Sequence, residues 1–363
     1  MAGVSFKTVA RVINGEPGVR PETAERVMLA VRQLGFRRNV IAANFKRGIS
    51  RDTIGLVIDD VSNPFFATVT RAIEDVVRTR GLQVIIASSD RDPERERTVI
   101  DSLVAQRVAG LIVVPIGRDH RYLAREMRLG TAVVFLDRPQ GHLRADTVTV
   151  EDHDGSRVAV RHLMAHGHER IAVLTHGLDV YTMAERYRGY ESALAEAGLR
   201  LDRRLVRHDV DDVDDAFAAA ASLLRVDPPP TAFFGTNNRM TVGAVKAIAA
   251  ARRRVALVGF DDFELAESLS TPITVVRPDV RELGRLGAEL LLRRMDGWDE
   301  PPRKIVLPTE LVERGSGELE PAGNGSSHRT GGPEGHQADA VGVARVHAQT
   351  SPRPRKGDPC ASP

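Results

Sequence analysis

Ile54-Gly55-Leu56-Val57-Ile58, followed by Asn63-Pro64-Phe65-Phe66 and a helix-like stretch at 67–80, decides the fold. The run is rich in branched aliphatics, which suits a strand buried on both faces. Similar runs recur at 82–87, 110–114 and 132–136, with a second helix-like stretch at 93–106. Strand and helix in alternation mean βαβ units and a parallel sheet. The pattern restarts at 171–174 and continues through 231–234 and 255–258. Two such halves in about 260 residues predict a pair of doubly wound α/β lobes with a cleft between them. Ligands of such sheets sit outside the carboxyl ends of the strands, so polar residues there are the ones to examine.

Upstream of that body the sequence changes character. Residues 2–14 pair a turn at Gly3 with a short helix whose N-cap is Ser5. Val4, Val9 and Val12 fall on one side of it, and Phe6, Lys7 and Arg11 on the other. A basic exposed face on a short helix suits reading of a major groove. Residues 20–34 form a second helix with Pro21 in its first turn and an apolar stripe of Ala24, Val27, Val31 and Leu34. A short basic segment follows at 36–48. Up to Arg51 there are ten Lys/Arg and three Asp/Glu, a net of +7, while the whole chain is only +2. Basic charge gathered at one end beside a mildly acidic body is a nucleic-acid footprint.

The series Ala-Gly-Val-Ser-x-x-Thr-Val-x-Arg-Val-Ile-Asn, then Leu-Gly-Phe-x-x-Asn, resembles the LacI/GalR family of bacterial transcription regulators. Asn63-Pro64-Phe65-Phe66, Phe135-Leu136-Asp137-Arg138, His166-Gly167-His168 and Val258-Gly259-Phe260-Asp261-Asp262 extend the resemblance in order to about Arg314. It implies two periplasmic-binding-protein-like lobes preceded by a small all-α helix-turn-helix and a hinge helix. The expected boundaries are 1–36 for the helix-turn-helix, 37–51 for the hinge, 52–314 for the effector-binding and dimerisation body, and 315–363 for a disordered tail. That tail has nine Gly, six Pro and no Ile, Met or aromatic residue, too little to bury.

The resemblance also places an effector pocket at the strand ends. Phe65 and Phe66, on a loop after the first strand, would stack on a sugar or base face. Asp137 and Arg138, closing the run at 132–136, can bracket a hydroxyl-rich ligand, although Arg138 also reads as a surface residue. Arg186 matches an arginine that clamps ligand in the family. Asn237 and Asp261 follow the runs at 231–234 and 255–258. Asp262 reads as a turn or cap, and Asn238 as an N-cap.

In mechanism, the resemblance implies a repressor-like homodimer on double-stranded operator DNA. Ser5, Thr8 and Asn14 would hold phosphates while Phe6, Lys7 and Arg11 read base edges. Asn39, Ala42, Phe45 and Lys46 would enter the minor groove, Phe45 standing where the family usually places a leucine wedge. A sugar-like effector would rotate one lobe on the other. The family's preceding helix has no counterpart before Ala2, so the helix-turn-helix reads as partial. The alternative is therefore a cytoplasmic sugar-binding protein without DNA binding.

Other classes find little support. A single cysteine, Cys360, excludes an internal disulfide and a multi-cysteine zinc site. Asp152-His153-Asp154 opens a helix, where acidic residues cap and favour the dipole. His166 and His168 flank a glycine at a helix end, again as caps. There is no Gly-rich phosphate loop, no Gly-x-Ser-x-Gly turn, no apolar leader and no membrane-length run, so no cofactor, metal, catalysis or membrane is expected, and a cytoplasmic location is.

Overall fold

The computed structural model describes residues 2–13, 17–34 and 52–321. Near the start lie two short helices, α1 (Phe6–Ile13) and α2 (Pro21–Gln33). Gly3 takes φ +64°, a left-handed turn that glycine adopts without strain. The Thr8 amide donates to Ser5 Oγ at 3.2 Å, the expected cap. Val4, Val9 and Val12 are half-buried while Phe6, Lys7 and Arg11 are exposed, Phe6 at 89%. In α2 the buried residues are Val27 and Ala30, and Leu34 is exposed rather than part of the stripe.

The first lobe begins β1 (Thr53–Ile58), α3 (Pro64–Arg78), β2 (Gln83–Ser88), α4 (Pro93–Ala105) and β3 (Gly110–Val113). It continues through α5 (Leu123–Arg128), β4 (Ala132–Leu136) and β5 (Asp146–Val150). The second lobe takes up α6 (Asp152–Ala165), β6 (Ile171–Leu174), α7 (Tyr181–Glu196), β7 (Val206–Arg207) and α8 (Val213–Leu223). Then come β8 (Ala232–Gly235), α9 (Asn238–Ala251), β9 (Ala256–Phe260) and β10 (Thr274–Pro278). The chain returns to the first lobe for α10 (Val280–Met295) and β11 (Lys304–Leu307), and ends in the second with β12 (Thr309–Val312).

Each lobe is a six-stranded sheet, in the orders β2-β1-β3-β4-β5-β11 and β7-β6-β8-β9-β10-β12. Strands pair in parallel except β12, which runs antiparallel to β10. The doubly wound expectation therefore holds, and its cause is visible in the first strand. Ile54, Leu56 and Ile58 face α3 and α10, whereas Val57 faces the layer of Ile100 and Leu103. Both faces of β1 are dry, which is why its sequence shows no alternation.

Three of the crossings between lobes are short: Glu151, Asp279 and Pro308. The Glu151 amide donates to Leu307 O at 3.0 Å, tying two of them together. Such a bundle of single-residue links permits rotation while holding the two sheets in register. Among the described residues, no helix is long and apolar enough to cross a membrane.

The expected tail boundary at 315 is too early. Ser316 is buried and its hydroxyl donates to Leu257 O. Glu318 accepts from Thr274 Oγ1 and pairs with His162, and His168 meets Leu319 O at 2.6 Å. This segment is ordered by polar satisfaction against the second lobe, a contribution that hydrophobic content does not report.

Candidate functional site

The carboxyl ends of β1, β4, β8 and β9 face one another across the gap between the lobes. At two of them the chain makes the same unusual turn: Asp137 has φ +67° and Asp261 φ +65°. Non-glycine residues visit this left-handed region at a cost of about 1 kcal/mol, aspartate more readily than most. Each turn is held in place, Asp137 N donating to Val148 O and Asp261 N to Val276 O. The Arg138 amide also reaches back to Leu136 O at 2.7 Å, closing a three-residue turn around Asp137.

Arg186, on the first half of α7, is 2% exposed and joins these ends. Its Nε donates to Asp152 Oδ1 at 2.8 Å, and its Nη1 to Thr236 O at 2.7 Å and Asp261 Oδ2 at 2.9 Å. The guanidinium lies 3.7 Å from the centre of the Phe260 ring. On the opposite wall, Arg138 Nη2 donates to Asp59 Oδ2 at 2.7 Å.

Burial governs the electrostatics. It disfavours charge on Arg186, but Asp261, Asp152 and Asp137 outweigh it and hold the guanidinium protonated. Burial pushes Asp137 above the usual carboxylate range despite Arg138 and Arg186. Asp152 rises to about 7 for the same reason, with Asp137 and Asp261 adding like charge. His176 is held below its usual value by burial and then by Arg91. Burial thus leaves Asp137 and Asp152 holding protons more readily than free carboxyls, so the floor of the cleft offers hydrogen-bond donors as well as acceptors.

All seven expected effector residues, Phe65, Phe66, Asp137, Arg138, Arg186, Asn237 and Asp261, line this one cavity of about 50 Å³. That is room for a few waters. Their individual settings differ from expectation in four respects. Phe65 and Phe66 start α3 instead of lying on a loop, and Phe66 also packs in the first lobe's core at 4% exposure. Asn63 is the cap that starts that helix. Arg138 is buried, because Asp59 and Asp137 compensate its charge. Asn237, not Asn238, is the N-cap of α9, accepting from Met240 N. Asn238 instead donates across the gap to Asn63 Oδ1 at 2.9 Å.

Three further expectations change. Asp262 is not merely a turn residue: it grips Arg314 through both oxygens. Asp152 is buried against Arg186 and is not a cap, while the exposed Asp154 pairs with Arg157. His166 does cap a helix end, through His162 O, but His168 bonds Thr231 and Leu319. The sequence reading missed Asp59, Asp60, Arg91, His176, Asp211 and Arg239 as cleft residues, and Asp152 as the partner of Arg186. Asp59 was findable, since it directly follows β1.

The lobes also grip each other directly. Arg239, on the first turn of α9, donates to Asp60 Oδ2 at 2.6 Å and to Ser62 Oγ at 2.8 Å. Burial alone would raise Asp60, but the Arg239 hydrogen bond prevails and holds its carboxyl below the usual range. Arg239→Ala should weaken this closed arrangement by about 1–2 kcal/mol, the worth of a charge-assisted hydrogen bond. Fluorophores placed on the two lobes should then report roughly a tenfold shift toward separation. An unchanged distance distribution would mean that the links and the remaining contacts, such as Asn238 with Asn63, set the lobe angle without Arg239.

Asn14, Asn39, Ala42, Phe45 and Lys46, the hinge at 37–51 and Cys360 lie outside the described residues. Comparison with known proteins supplies the remaining context. Residues 1–39 match the bacterial regulatory proteins of the lacI family, and 160–317 match the periplasmic binding protein-like domain. The chain is 32% identical over 330 residues to the HTH-type transcriptional regulator CelR of Thermobifida fusca, covering 87% of this chain and 96% of that one. The chain belongs to the LacI family. It is a DNA-binding transcriptional regulator with a helix-turn-helix region and an effector-binding body. The ribose operon repressor of Haemophilus influenzae is also 32% identical, over 87% of this chain and 96% of its own. Among solved structures, the lac repressor dimer bound to operator and the anti-inducer ONPF superposes with TM-score 0.73 at 27% identity. That match covers 88% of this chain and 97% of the other. The CelR–cellobiose complex gives 0.66 at 31% identity, over 87% and 97%.

Proposed function

We propose that this LacI-family regulator is a cytoplasmic, homodimeric repressor that binds double-stranded operator DNA and responds to a sugar or sugar derivative held between its lobes. The convergence of Asp137, Arg138, Arg186 and Asp261 on one cavity carries the effector half of this reading. Buried carboxylates accept from ligand hydroxyls while guanidinium groups donate, the pairing a polyhydroxyl compound needs. The relatives agree in kind, one being a ribose operon repressor and another a regulator in complex with cellobiose.

The cavity in its present shape is too small for a sugar ring, so entry requires the lobes to part at their three links. Effector binding then selects one lobe angle over another, and operator affinity changes by the difference in effector affinity for the two. For DNA, Lys7 and Arg11 project from the exposed face of α1, beside Phe6. We assign base reading to those three, phosphate contacts to Ser5, Thr8 and Asn14, and minor-groove contacts to Asn39, Ala42, Phe45 and Lys46.

Selection from random duplexes, followed by titration of the enriched site, tests the DNA half. Specific affinity should fall by roughly 10³-fold or more between 50 and 200 mM salt if six or more phosphates are neutralised. Arg11→Ala should cost about 1–3 kcal/mol on the selected site and relax preference at one base position. Failure to enrich any duplex, or a flat salt response, would refute operator binding.

A further inference from the structure

A second cavity, of about 380 Å³, opens beside the first. It lies between the loops that follow β3 and β4 and the start of α7. Arg138 and Val180 line both cavities, so the two are adjacent chambers with a shared wall. Arg138 is 5% exposed; its Nη2 donates to Asp59 and its Nε lies 3.4 Å from Asp137 Oδ2, but Nη1 has no partner among the described residues. Leaving a buried guanidinium donor unmatched is costly. Groups that pass between the chambers would meet it.

The far wall has a different chemistry from the first chamber. Tyr181 is 38% exposed there and Leu178 is comparably open, giving an apolar surface that a ring can cover. Arg118 and Asp179 flank it, and among the described residues neither side chain has a hydrogen-bond or ion-pair partner. One free donor group and one free acceptor beside an aromatic face match a pyranose, which offers hydroxyls at its rim and C–H groups on its face.

We propose that the effector is a glycoside of at least two rings: one in the chamber of Asp137, Arg186 and Asp261, the second on Tyr181 between Arg118 and Asp179. The connecting linkage runs past Arg138, whose free Nη1 donates to its oxygens. This rests on the sugar-effector reading above and adds the length of the ligand to it. A single ring would leave the second chamber to water and gain nothing from Tyr181.

Isothermal titration of the full chain tests this, using glucose, galactose and xylose against cellobiose, lactose and xylobiose. At least one disaccharide should bind about tenfold or more tighter than its monosaccharide. Tyr181→Ala should erase that advantage while leaving the monosaccharide affinity unchanged, and Asp179→Asn should reduce it in part. Equal affinities for one and two rings, or an advantage that survives Tyr181→Ala, would overturn the two-ring proposal but leave the sugar reading standing. Tighter binding of glucose 6-phosphate than of either disaccharide, lost in Arg118→Ala, would instead assign the second chamber to an anion. Absence of binding by every sugar would defeat the sugar reading and this proposal with it.

Discussion

Arg186→Ala should destabilise the second lobe by about 3–5 kcal/mol and abolish the effector response. Arg186 is the cation shared by Asp152 and Asp261, and the nearby Asp137 is also buried. Removing one partner of a buried ion pair leaves uncompensated charge, and that loss exceeds what the pair was worth while intact. The substitution also strips Thr236 O of a donor and uncovers the face of Phe260. Arg186→Lys should recover the charge but not the fork that reaches two carboxylates and a carbonyl, so recovery should be partial. Asp152→Asn should cost much less, because a carboxyl raised to about 7 is already partly protonated near neutral pH.

The same groups fix a pH dependence. A carboxylate whose folded value lies above its unfolded value binds a proton more tightly in the folded state. Its contribution therefore favours folding at low pH and is lost as pH rises from about 4 toward 7. In Arg186→Ala the carboxylates lose their cation and are raised further, so the variant's urea midpoint should fall more steeply than the parent's between pH 5 and 8. Equal midpoints for variant and parent at both pH values would mean that water solvates these carboxylates and that Arg186 is not their counter-charge.

Much of this arrangement was legible in the sequence. The aliphatic runs that became β1 to β4, β6, β8 and β9 could be read because their burial on both faces leaves no polar alternation. Asp137 and Asp261 followed from the rule that ligands sit at strand ends. What could not be read is long-range. Nothing in the residues near 280 says that α10 crosses back to cover β4 in the first lobe, since an amphipathic helix fits either sheet. Asp152 resembled an ordinary first-turn acid, and only the packing of α6 on α7 brings Arg186 to it. Asn237 and Asn238 are chemically identical, so which one caps is settled by a single residue of helix phase. The ordering of Ser316 and Glu318 was hidden because hydrogen bonds, and not apolar area, hold them.

Gly189→Val should, like loss of Arg186, impair both stability and effector binding, although Gly189 touches neither cavity. It lies on α7 where that helix crosses α6, and a β-carbon there would stand 2.2 Å from His153 O and 2.8 Å from Ser156 Cβ. The nearest obstacle is helix backbone, which cannot swing aside as a side chain can, so the two helices must move apart. Overpacking of this kind costs about 1–3 kcal/mol or more. The functional consequence follows from position along each helix. Asp152 immediately precedes His153 on α6, and Arg186 lies one turn before Gly189 on α7. The close crossing therefore sets the 2.8 Å bond between Arg186 and Asp152. Gly198→Ala is the control: its surroundings are open, and with φ +70° it should show only the cost of left-handed backbone, about 1–2 kcal/mol. Thermal unfolding and effector titration should separate the two variants. Gly189→Val should lower both stability and effector affinity, the latter by at least about tenfold, whereas Gly198→Ala should lower stability alone. Normal effector affinity in a destabilised Gly189→Val protein would show that the Arg186–Asp152 contact does not depend on this crossing, and the glycine would then serve only to pack the lobe.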